Sequence, residues 1–367
     1  MPRSFVPILF VIGFAMLALG AMPWERYSPS NFRPHPEQVR SVADDSIERA
    51  LFAEGRLWLL TSGGALWSIG EARRDVRREP FSTRVLDMCK GHGRFVVAVD
   101  QRGDGAAWSL RTHRGSGWSE TGAESAKGDG LALLQCEADG RLILVTSQRL
   151  IEVKGSDRTE LPLRRQRVPL NAYSTGLTTP EHVFVGLNYG EFGGGLYRID
   201  RKTGAVEIIE RNKSGDLCGG PLNAGCDPVS GVVAIPWKPG CVAASVGLIH
   251  MGARGRIAEV CGIDVRLMYL GPCPYSQEGK IEIRSGEPVC TEPFSGLFRS
   301  GDKLLTVGGN GVTSLSASGQ AETRPLPPLQ AAGPFRVNFD DPNLVFVVSG
   351  ADRRHSLSGK IAIATAR

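Results

Sequence analysis

The sequence predicts an all-β fold, a seven-bladed β-propeller, because one short apolar strand motif recurs along the chain at nearly regular spacing. Its clearest copies are residues 55–60, 93–99 and 140–145, which each begin with Gly-Arg and continue as an apolar run. Looser copies follow at residues 182–185, 231–235, 303–307 and 343–348. A period of about 40–50 residues built from short strands and turns is typical of propeller blades. Apolar residues at helical spacing are nearly absent beyond the N-terminal run, which also favours an all-β fold.

Each repeat contains a second recognisable strand, in which larger apolar residues alternate with small or polar ones. Its copies are residues 65–69, 106–110, 195–199 and 311–315. A period of two suits strands in sheets that are stacked face to face. The predicted blades are 47–83, 84–121, 130–163, 172–211, 222–261, 293–326 and 335–366.

The last predicted blade ends with the apolar residues 362–364 and is one strand short. Residues 37–42, which precede the first inner strand, are predicted to supply the missing outer strand. Such pairing would close the ring and remove an open sheet edge.

The longest step between motif copies runs from residue 231 to residue 303, and it predicts an insertion at 262–292. This segment is rich in Pro, Gly and Cys and mostly lacks strand alternation. Because loops this long are uncommon without cross-links, we expect disulfides to hold it as a lid over blades five and six. The cysteines expected to gather on one face for this purpose are Cys218, Cys241, Cys261, Cys273 and Cys290.

Residues 1–20 are predicted to be a signal peptide or a membrane anchor, followed by a linker at 21–36 and the propeller at 37–367. An apolar run covers 5–22 after a single early positive charge, Arg3, and small residues before position 21 suit signal peptidase. If the run is not cleaved, it is long enough to span a bilayer and would be the only part in contact with the membrane. In either case the remainder is exported to the periplasm or the extracellular space, and in the second case it stays anchored to the inner membrane.

All eight cysteines lie in the exported part of the chain. They are Cys89, Cys136, Cys218, Cys226, Cys241, Cys261, Cys273 and Cys290. An even number of cysteines in an oxidising compartment predicts disulfides. Cys89 and Cys136 each stand four residues before the glycine of consecutive motif copies, so they are a candidate bridge between blades, with two separate buried thiols as the alternative. No CxxC or HxxxH spacing supports a zinc site.

The charge of the chain gives no sign of a nucleic-acid partner. The formal net charge is +5, from 43 Lys and Arg against 38 Asp and Glu. The basic residues are scattered, and no stripe of aromatic and basic residues accompanies them.

The most distinctive candidate site is the glycine-rich loop at residues 188–195. Its glycines permit positive φ and close backbone approach, while Asn188 offers an amide and Glu191 a carboxylate. We expect either a ligand or cation loop, or a bulged hairpin whose aromatic residues pack on neighbours while Glu191 remains solvated.

The corresponding loops of other predicted blades carry further polar residues. They are Asp100, Arg102, Asp104, Asn310, Arg353 and His355. With Asn188 and Glu191 they would form a polar ring at the channel mouth, suited to a small polar or sugar-like ligand. Asp100 and Asp104 could also help to hold Ca²⁺, although the spacing of a known calcium loop is missing and a polar turn is the alternative.

Residues 195–206 carry a further signal, Gly-Leu-Tyr-Arg-Ile-Asp-Arg-Lys-Thr-Gly-Ala-Val. This stretch resembles the strand–Asp-x-x-Thr-Gly–strand repeat of bacterial propellers, as found in quinoprotein-like, YVTN-type and gluconolactonase-like groups and in sensor-kinase propellers. Asp200 and Thr203 suit the tight turn between the third and outer strands. The resemblance covers about a dozen residues and implies the propeller fold.

The sequence contains no Gly-x-Ser-x-Gly elbow, P-loop or HExxH motif. It therefore favours an exported, non-catalytic binding module whose partner is another protein or a small polar or sugar ligand. One alternative is a metal-dependent hydrolase or lactonase, with Asn188, Glu191, Asn310 and Asp104 as oxygen ligands. A quinone-dependent oxidoreductase is a third possibility.

Overall fold

The computed structural model describes most of the chain from residue 47 onward. The described residues are 47–70, 75–103, 105, 107–115, 117–122, 128–170, 173–210, 220–249, 253–273, 281, 283–284, 287–325, 335–341, 344–349 and 363–366. The predicted signal or anchor at 1–20, the linker at 21–36 and the closing strand at 37–42 lie outside them. Within this described part, no helix is long and apolar enough to cross a membrane.

Antiparallel four-stranded sheets, each built from strands consecutive in the chain, make up the first three blades. Blade one comprises β1 (Ile47–Ala53), β2 (Arg56–Thr61), β3 (Leu66–Gly70) and β4 (Val76–Arg78). Blade two comprises β5 (Val85–Gly91), β6 (Arg94–Asp100), β7 (Trp108–Arg114) and β8 (Gly117–Gly122). Blade three comprises β9 (Leu131–Cys136), β10 (Leu142–Thr146), β11 (Arg149–Lys154) and β12 (Asp157–Pro162).

Three further blades repeat this order. Blade four comprises β13 (Tyr173–Thr178), β14 (His182–Asn188), β15 (Gly194–Asp200) and β16 (Val206–Ile209). Blade five comprises β17 (Val229–Ala234), β18 (Cys241–Ile249), β19 (Ala253–Cys261) and β20 (Asp264–Tyr269). A short ribbon of β21 (Ile283–Arg284) and β22 (Glu287–Pro288) precedes blade six, which comprises β23 (Leu297–Ser300), β24 (Lys303–Gly308), β25 (Gly311–Leu315) and β26 (Ala321–Arg324).

The described residues therefore form six complete blades, and the prediction of seven is corrected. The last unit is a three-stranded sheet of β27 (Phe335–Asp341), β28 (Leu344–Ser349) and β29 (Ile363–Ala366). Strand β29 is the third strand of this sheet, and no described strand other than β28 pairs with β29, so a fourth strand is missing from the described part of the sheet. Strand β27 lies against β1, as β5 does on the other side, so the last sheet stands beside the first.

The hydrophobic core lies between neighbouring blades. In β6, Phe95 and Val97 pack with Trp58 of blade one, whereas Val96 and Ala98 pack with blade three. The strand is thus buried on both faces, which explains why its sequence is a continuous apolar run instead of an alternating one. The same arrangement recurs in blades three, four and five. The second strand of each of these blades (β10, β14 and β18) contributes residues to two hydrophobic clusters.

The outer strand of blade five differs from its prediction. Strand β20 lies within the predicted insertion 262–292, so the irregular segment begins only after Tyr269. The sequence did not predict this strand because Val265 is its one fully buried residue, and polar or exposed residues surround Val265. The predicted turn in blade four does form: the Asp200 carboxylate accepts the backbone N–H groups of Lys202 at 2.9 Å and Thr203 at 2.7 Å.

Disulfides join strands both between and within blades. The predicted Cys89–Cys136 bridge is confirmed: it links the inner strands β5 and β9 with a Cα–Cα distance of 5.6 Å. Two further disulfides join Cys241 to Cys261 and Cys273 to Cys290. Cys226 is also disulfide-bonded, and Cys218 lies outside the described residues.

One disulfide prediction is wrong. Cys241 and Cys261 do not help to fasten the insertion, because they pair with each other across β18 and β19. Antiparallel strands alternate in direction, so the start of a second strand and the end of a third lie at one end of the blade. That end is opposite the blade-to-blade connections. Only Cys273–Cys290 closes the insertion itself among the described pairs.

The two types of bridge differ in the chain length that they close. We expect the double substitution Cys89→Ala/Cys136→Ala to lower the free energy of unfolding by about 2–4 kcal/mol, because the bridge constrains a loop of 47 residues. The matched control is Cys241→Ala/Cys261→Ala, which removes a bridge that closes only 20 residues. We expect its free energy of unfolding to fall by a smaller amount. Urea unfolding of the purified variants measures both values. Equal losses would contradict the expectation that the stabilisation depends on the length of the closed loop.

Candidate functional site

The alternation of strand direction gives the propeller two chemically different faces. The loop face carries the connections between second and third strands, such as residues 101–107 and 189–193, and the blade-to-blade connections. The turn face carries the connections between first and second strands, such as Glu54–Gly55 and His92–Gly93, and those between third and fourth strands. The predicted ligand residues that the structure describes all belong to the loop face; they are Asp100, Arg102, Asn188, Glu191 and Asn310.

Asp100 is a structural residue of its own loop. Its carboxylate is fully buried and accepts backbone N–H groups from Arg102 at 3.0 Å and from Gly103 and Gly105 at 2.9 Å. With both oxygens engaged in this way, the carboxylate satisfies the turn, as the polar-turn alternative expects. Arg102 is exposed, and Asp104 lies outside the described residues.

The glycine-rich loop of blade four is fixed in place by its neighbours. Asn188 Oδ1 accepts the N–H of Gly190 at 2.8 Å, and residues Gly190–Phe192 form one turn of 3-10 helix. Gly195 has a φ of 81°, and a Cβ there would lie 2.7 Å from the Cα of Ala224, so only glycine allows this approach. The loop therefore presents Glu191 and Phe192 on its exposed side, with 78% of Phe192 accessible.

Asn310 connects blade six to the base of the insertion. Its Nδ2 donates to the carbonyl of Pro272 at 2.8 Å, and its backbone N–H donates to Glu292 Oε1 at 2.6 Å. Glu292 is completely buried, and a Cβ at Gly308 would lie 2.4 Å from its Oε1. Sequence reasoning missed Glu292, and its only signal is its place where the insertion rejoins the blades.

Glu292 is held in unfavourable surroundings for a charge. Its Oε2 has no hydrogen-bond partner among the described residues. Burial raises the pKa of the carboxyl above its ordinary value of 4.5, although the hydrogen bonds from Asn310 act in the opposite direction. A group whose pKa is raised by folding stabilises the protein at low pH and loses that contribution as the pH rises through the folded pKa.

We expect Glu292→Gln to unfold with a free energy about 1–2 kcal/mol higher than the wild type at pH 8, because the variant has no charge to bury. The difference should vanish near pH 4. Glu322→Gln, which alters an exposed carboxylate of the same blade, is the control. Urea unfolding across this pH range measures the effect. A Glu292→Gln curve parallel to that of the wild type would refute the buried-charge interpretation.

A second group missed by the sequence crosses the axial channel. Arg49 of β1 pairs with Asp87 of β5 at 2.8 Å and donates to the Ser174 carbonyl of β13 at 2.7 Å. Asp87 also accepts the backbone N–H of Leu134 in β9 at 2.7 Å. Four inner strands are thus tied by one ion pair. Burial raises the pKa of Asp87, while Arg49 and the backbone donors counteract it.

This ion pair is expected to be important for stability. Arg49→Met should lower the free energy of unfolding by about 2–3 kcal/mol because it leaves the Asp87 carboxyl buried without its cation. The side chain of Arg49 is 26% exposed and that of Asp87 5%, so the loss should fall short of that for a fully buried pair. Arg299→Met alters an exposed arginine on the inner strand of blade six and should change stability by less than about 0.5 kcal/mol. Chemical denaturation distinguishes the two, and equal effects would disprove the bridging role.

The predicted polar ring is only partly accounted for. Asp100, Asn188 and Asn310 each make hydrogen bonds to their own surroundings, and none of these bonds joins one of them to another. Arg353 and His355, like Asp104, lie outside the described residues. Across the described part of the chain, no three His, Cys, Asp or Glu residues are grouped closely enough to hold a metal ion.

No known protein family and no curated protein sequence matches the chain. Solved structures do match it. The extracellular domain of the putative one component system BT4673 from B. thetaiotaomicron is 13% identical with a TM-score of 0.51, over 87% of this chain and 38% of that one. YCF48 bound to D1 peptide is 12% identical with a TM-score of 0.53, over 88% and 92% of the two chains.

Virginiamycin B lyase from Staphylococcus aureus is 11% identical with a TM-score of 0.51, over 88% of this chain and 96% of the enzyme. This chain spans about 38% of the length of the BT4673 protein chain. At these identities the likeness concerns the fold alone. Together with the radial order of the sheets, it shows that the chain is a β-propeller.

Proposed function

We propose that this chain is an exported β-propeller that binds another protein through its loop face and carries out no catalysis itself. The single observation that supports it best is Phe192, which is 78% exposed on a loop that cannot easily rearrange. An exposed aromatic side chain on a fixed backbone loses little conformational freedom on binding, and such residues often dominate binding energy.

The disulfides support the exported part of the proposal. None of the described cysteines is free, and bridges of this kind persist in oxidising compartments such as the periplasm or the extracellular space. For the N-terminus we propose a cleaved signal peptide at residues 1–20, with anchoring to the inner membrane through residues 5–22 as the alternative.

The insertion adds a second exposed apolar residue on the same face. Cys273–Cys290 closes its base, and β21 and β22 form a short ribbon on which Ile283 is 55% exposed. Blade-to-blade connections and second-to-third-strand loops emerge at the same end of the blades, so Phe192 and Ile283 share the loop face. We infer a partner with an apolar pocket that receives the Phe192 side chain.

The YCF48 structure contains a D1 peptide, so the fold is able to support peptide recognition in that protein. The hydrolase or lactonase alternative receives less support, because Asn188, one of its four predicted oxygen ligands, uses its side-chain oxygen to accept the backbone N–H of Gly190. No observation on the described residues favours the quinone-dependent alternative.

The test is affinity capture from a periplasmic extract followed by calorimetry with the purified captured protein. Phe192→Ser should weaken binding about tenfold or more, because a hot-spot residue contributes about 2 kcal/mol or more. Ile208→Ser is the control, since Ile208 is 38% exposed on the outer strand β16 of the same blade. Melting temperatures confirm that both variants fold. Equal affinity of wild type and Phe192→Ser for every captured protein would refute the proposal.

A further inference from the structure

An open cleft of about 640 Å³ lies on the turn face between blades one and two. It is lined by Glu54, His92, Gly93, Arg94, Arg114 and Gly115. None of these residues belongs to the loop-face surface described above. The cleft therefore needs an explanation of its own.

The backbone of the cleft is strained at two positions. Glu54 has a φ of 52° and His92 a φ of 50°, and each is followed by a glycine that also has a positive φ. Two-residue turns of this kind favour Asn, Asp or Gly, because larger residues are strained there. Across the described residues only one other non-glycine residue, Arg165, has a positive φ. Strain that is retained at two lining residues of one cleft is typical of a functional site.

The cations of the cleft are not neutralised within the described part of the chain. Arg94 donates one hydrogen bond, from Nη2 to the Gly140 carbonyl at 2.8 Å, which orients its guanidinium. No described residue forms an ion pair or a side-chain hydrogen bond with Arg114 or His92. Two guanidinium groups and an imidazole thus line one open cleft.

The carboxylate of Glu54 is engaged elsewhere. Its Oε2 lies 2.5 Å from Nδ1 of His113, whose side chain is buried. The His113 ring contacts Trp58 and Trp118 edge-on, with centroids 4.9 and 5.0 Å away. This packing fixes the His113 imidazole, so the Glu54 carboxylate is held at the wall of the cleft. Arg94 and Arg114 are therefore available to bind a group from outside the protein.

The equivalent cleft between blades three and four shows a different solution. There Arg201 pairs with Glu152 at 2.7 Å, and Arg141 pairs with the same carboxylate at 3.0 Å. Burial opposes ionisation of Glu152, but the hydrogen bonds from Arg201 and Arg141 outweigh it and lower its pKa. The arginines in the cleft between blades three and four form ion pairs with a carboxylate of the chain, whereas Arg94 and Arg114 form none with the described residues.

We propose that the cleft between blades one and two is a binding site for an oxyanion, a phosphate or carboxylate group, held by Arg94 and Arg114 with His92 as a further donor. Guanidinium groups match the planar geometry of such anions and form paired hydrogen bonds with them.

Calorimetric titration of the purified propeller with inorganic phosphate, and separately with glucuronate at equal ionic strength, tests the proposal. One of the two anions should bind saturably, and the stronger one identifies the group as a phosphate or a carboxylate. Arg114→Gln should weaken that binding at least tenfold. Arg78→Gln, which removes the same charge from the exposed outer strand β4, should leave it unchanged. Absence of saturable binding by both anions, or equal weakening in both variants, would overturn the site.

A second variant separates function from stability. His92→Asn relieves the strain, because Asn tolerates a positive φ, so the melting temperature should rise by about 1–2 °C. Anion affinity should fall by about threefold or more, since one donor is lost. A variant with higher stability and unchanged affinity would contradict the role of His92.

Discussion

Every complete blade buries both faces of its sheet, and this constraint determines the rest of the structure. The strand β6 illustrates it, because alternate residues pack against blade one and blade three. A sheet with two apolar faces needs a neighbour on each side, so the sheets must stand in a ring. The inner strands then meet around the axis, where backbone groups need partners. Asp87 supplies one such partner to Leu134, and Arg49 balances the carboxylate.

Buried carboxylates hold connections and strands of the propeller in place at several positions. Asp227 accepts the N–H of Asn223 at 2.6 Å and pairs with Arg256, and Glu292 accepts the N–H of Asn310. Burial raises the pKa of these carboxyls, as it does for Asp87. Glu152 differs, because its two arginines lower its pKa. Asp87, Asp227 and Glu292 stabilise the folded protein most at low pH, and Glu152 stabilises it most at high pH. The pH dependence of the free energy of unfolding is therefore a balance between opposing contributions.

The sequence was informative wherever a feature repeats. Six of the seven copies of the apolar motif coincide with second strands, whereas the copy at 231–235 coincides with the inner strand β17. The matching positions of Cys89 and Cys136 predicted the bridge between blades, because equivalent residues in adjacent blades lie close together. Single features were missed. Arg49 and Ser174 lie 125 positions apart, and no local pattern indicates that they meet. For the predicted site residue Asp100 the sequence left a ligand site and a polar turn open for a related reason: a short polar loop has the same composition whether its carboxylate binds a ligand or its own backbone.

Blade packing leaves the two faces free to differ from blade to blade, since connections contribute little to the core. On the loop face, glycines fix the position of Phe192, and on the turn face Glu54 and His92 retain strain that Asn would relieve. The strands that separate the faces are about six residues long, which corresponds to roughly 20 Å. A substitution at Phe192 therefore touches none of the groups around Arg114, and additivity is the rule at such distances. The protein partner and the oxyanion are consequently independent hypotheses, and failure of one leaves the physical basis of the other unchanged.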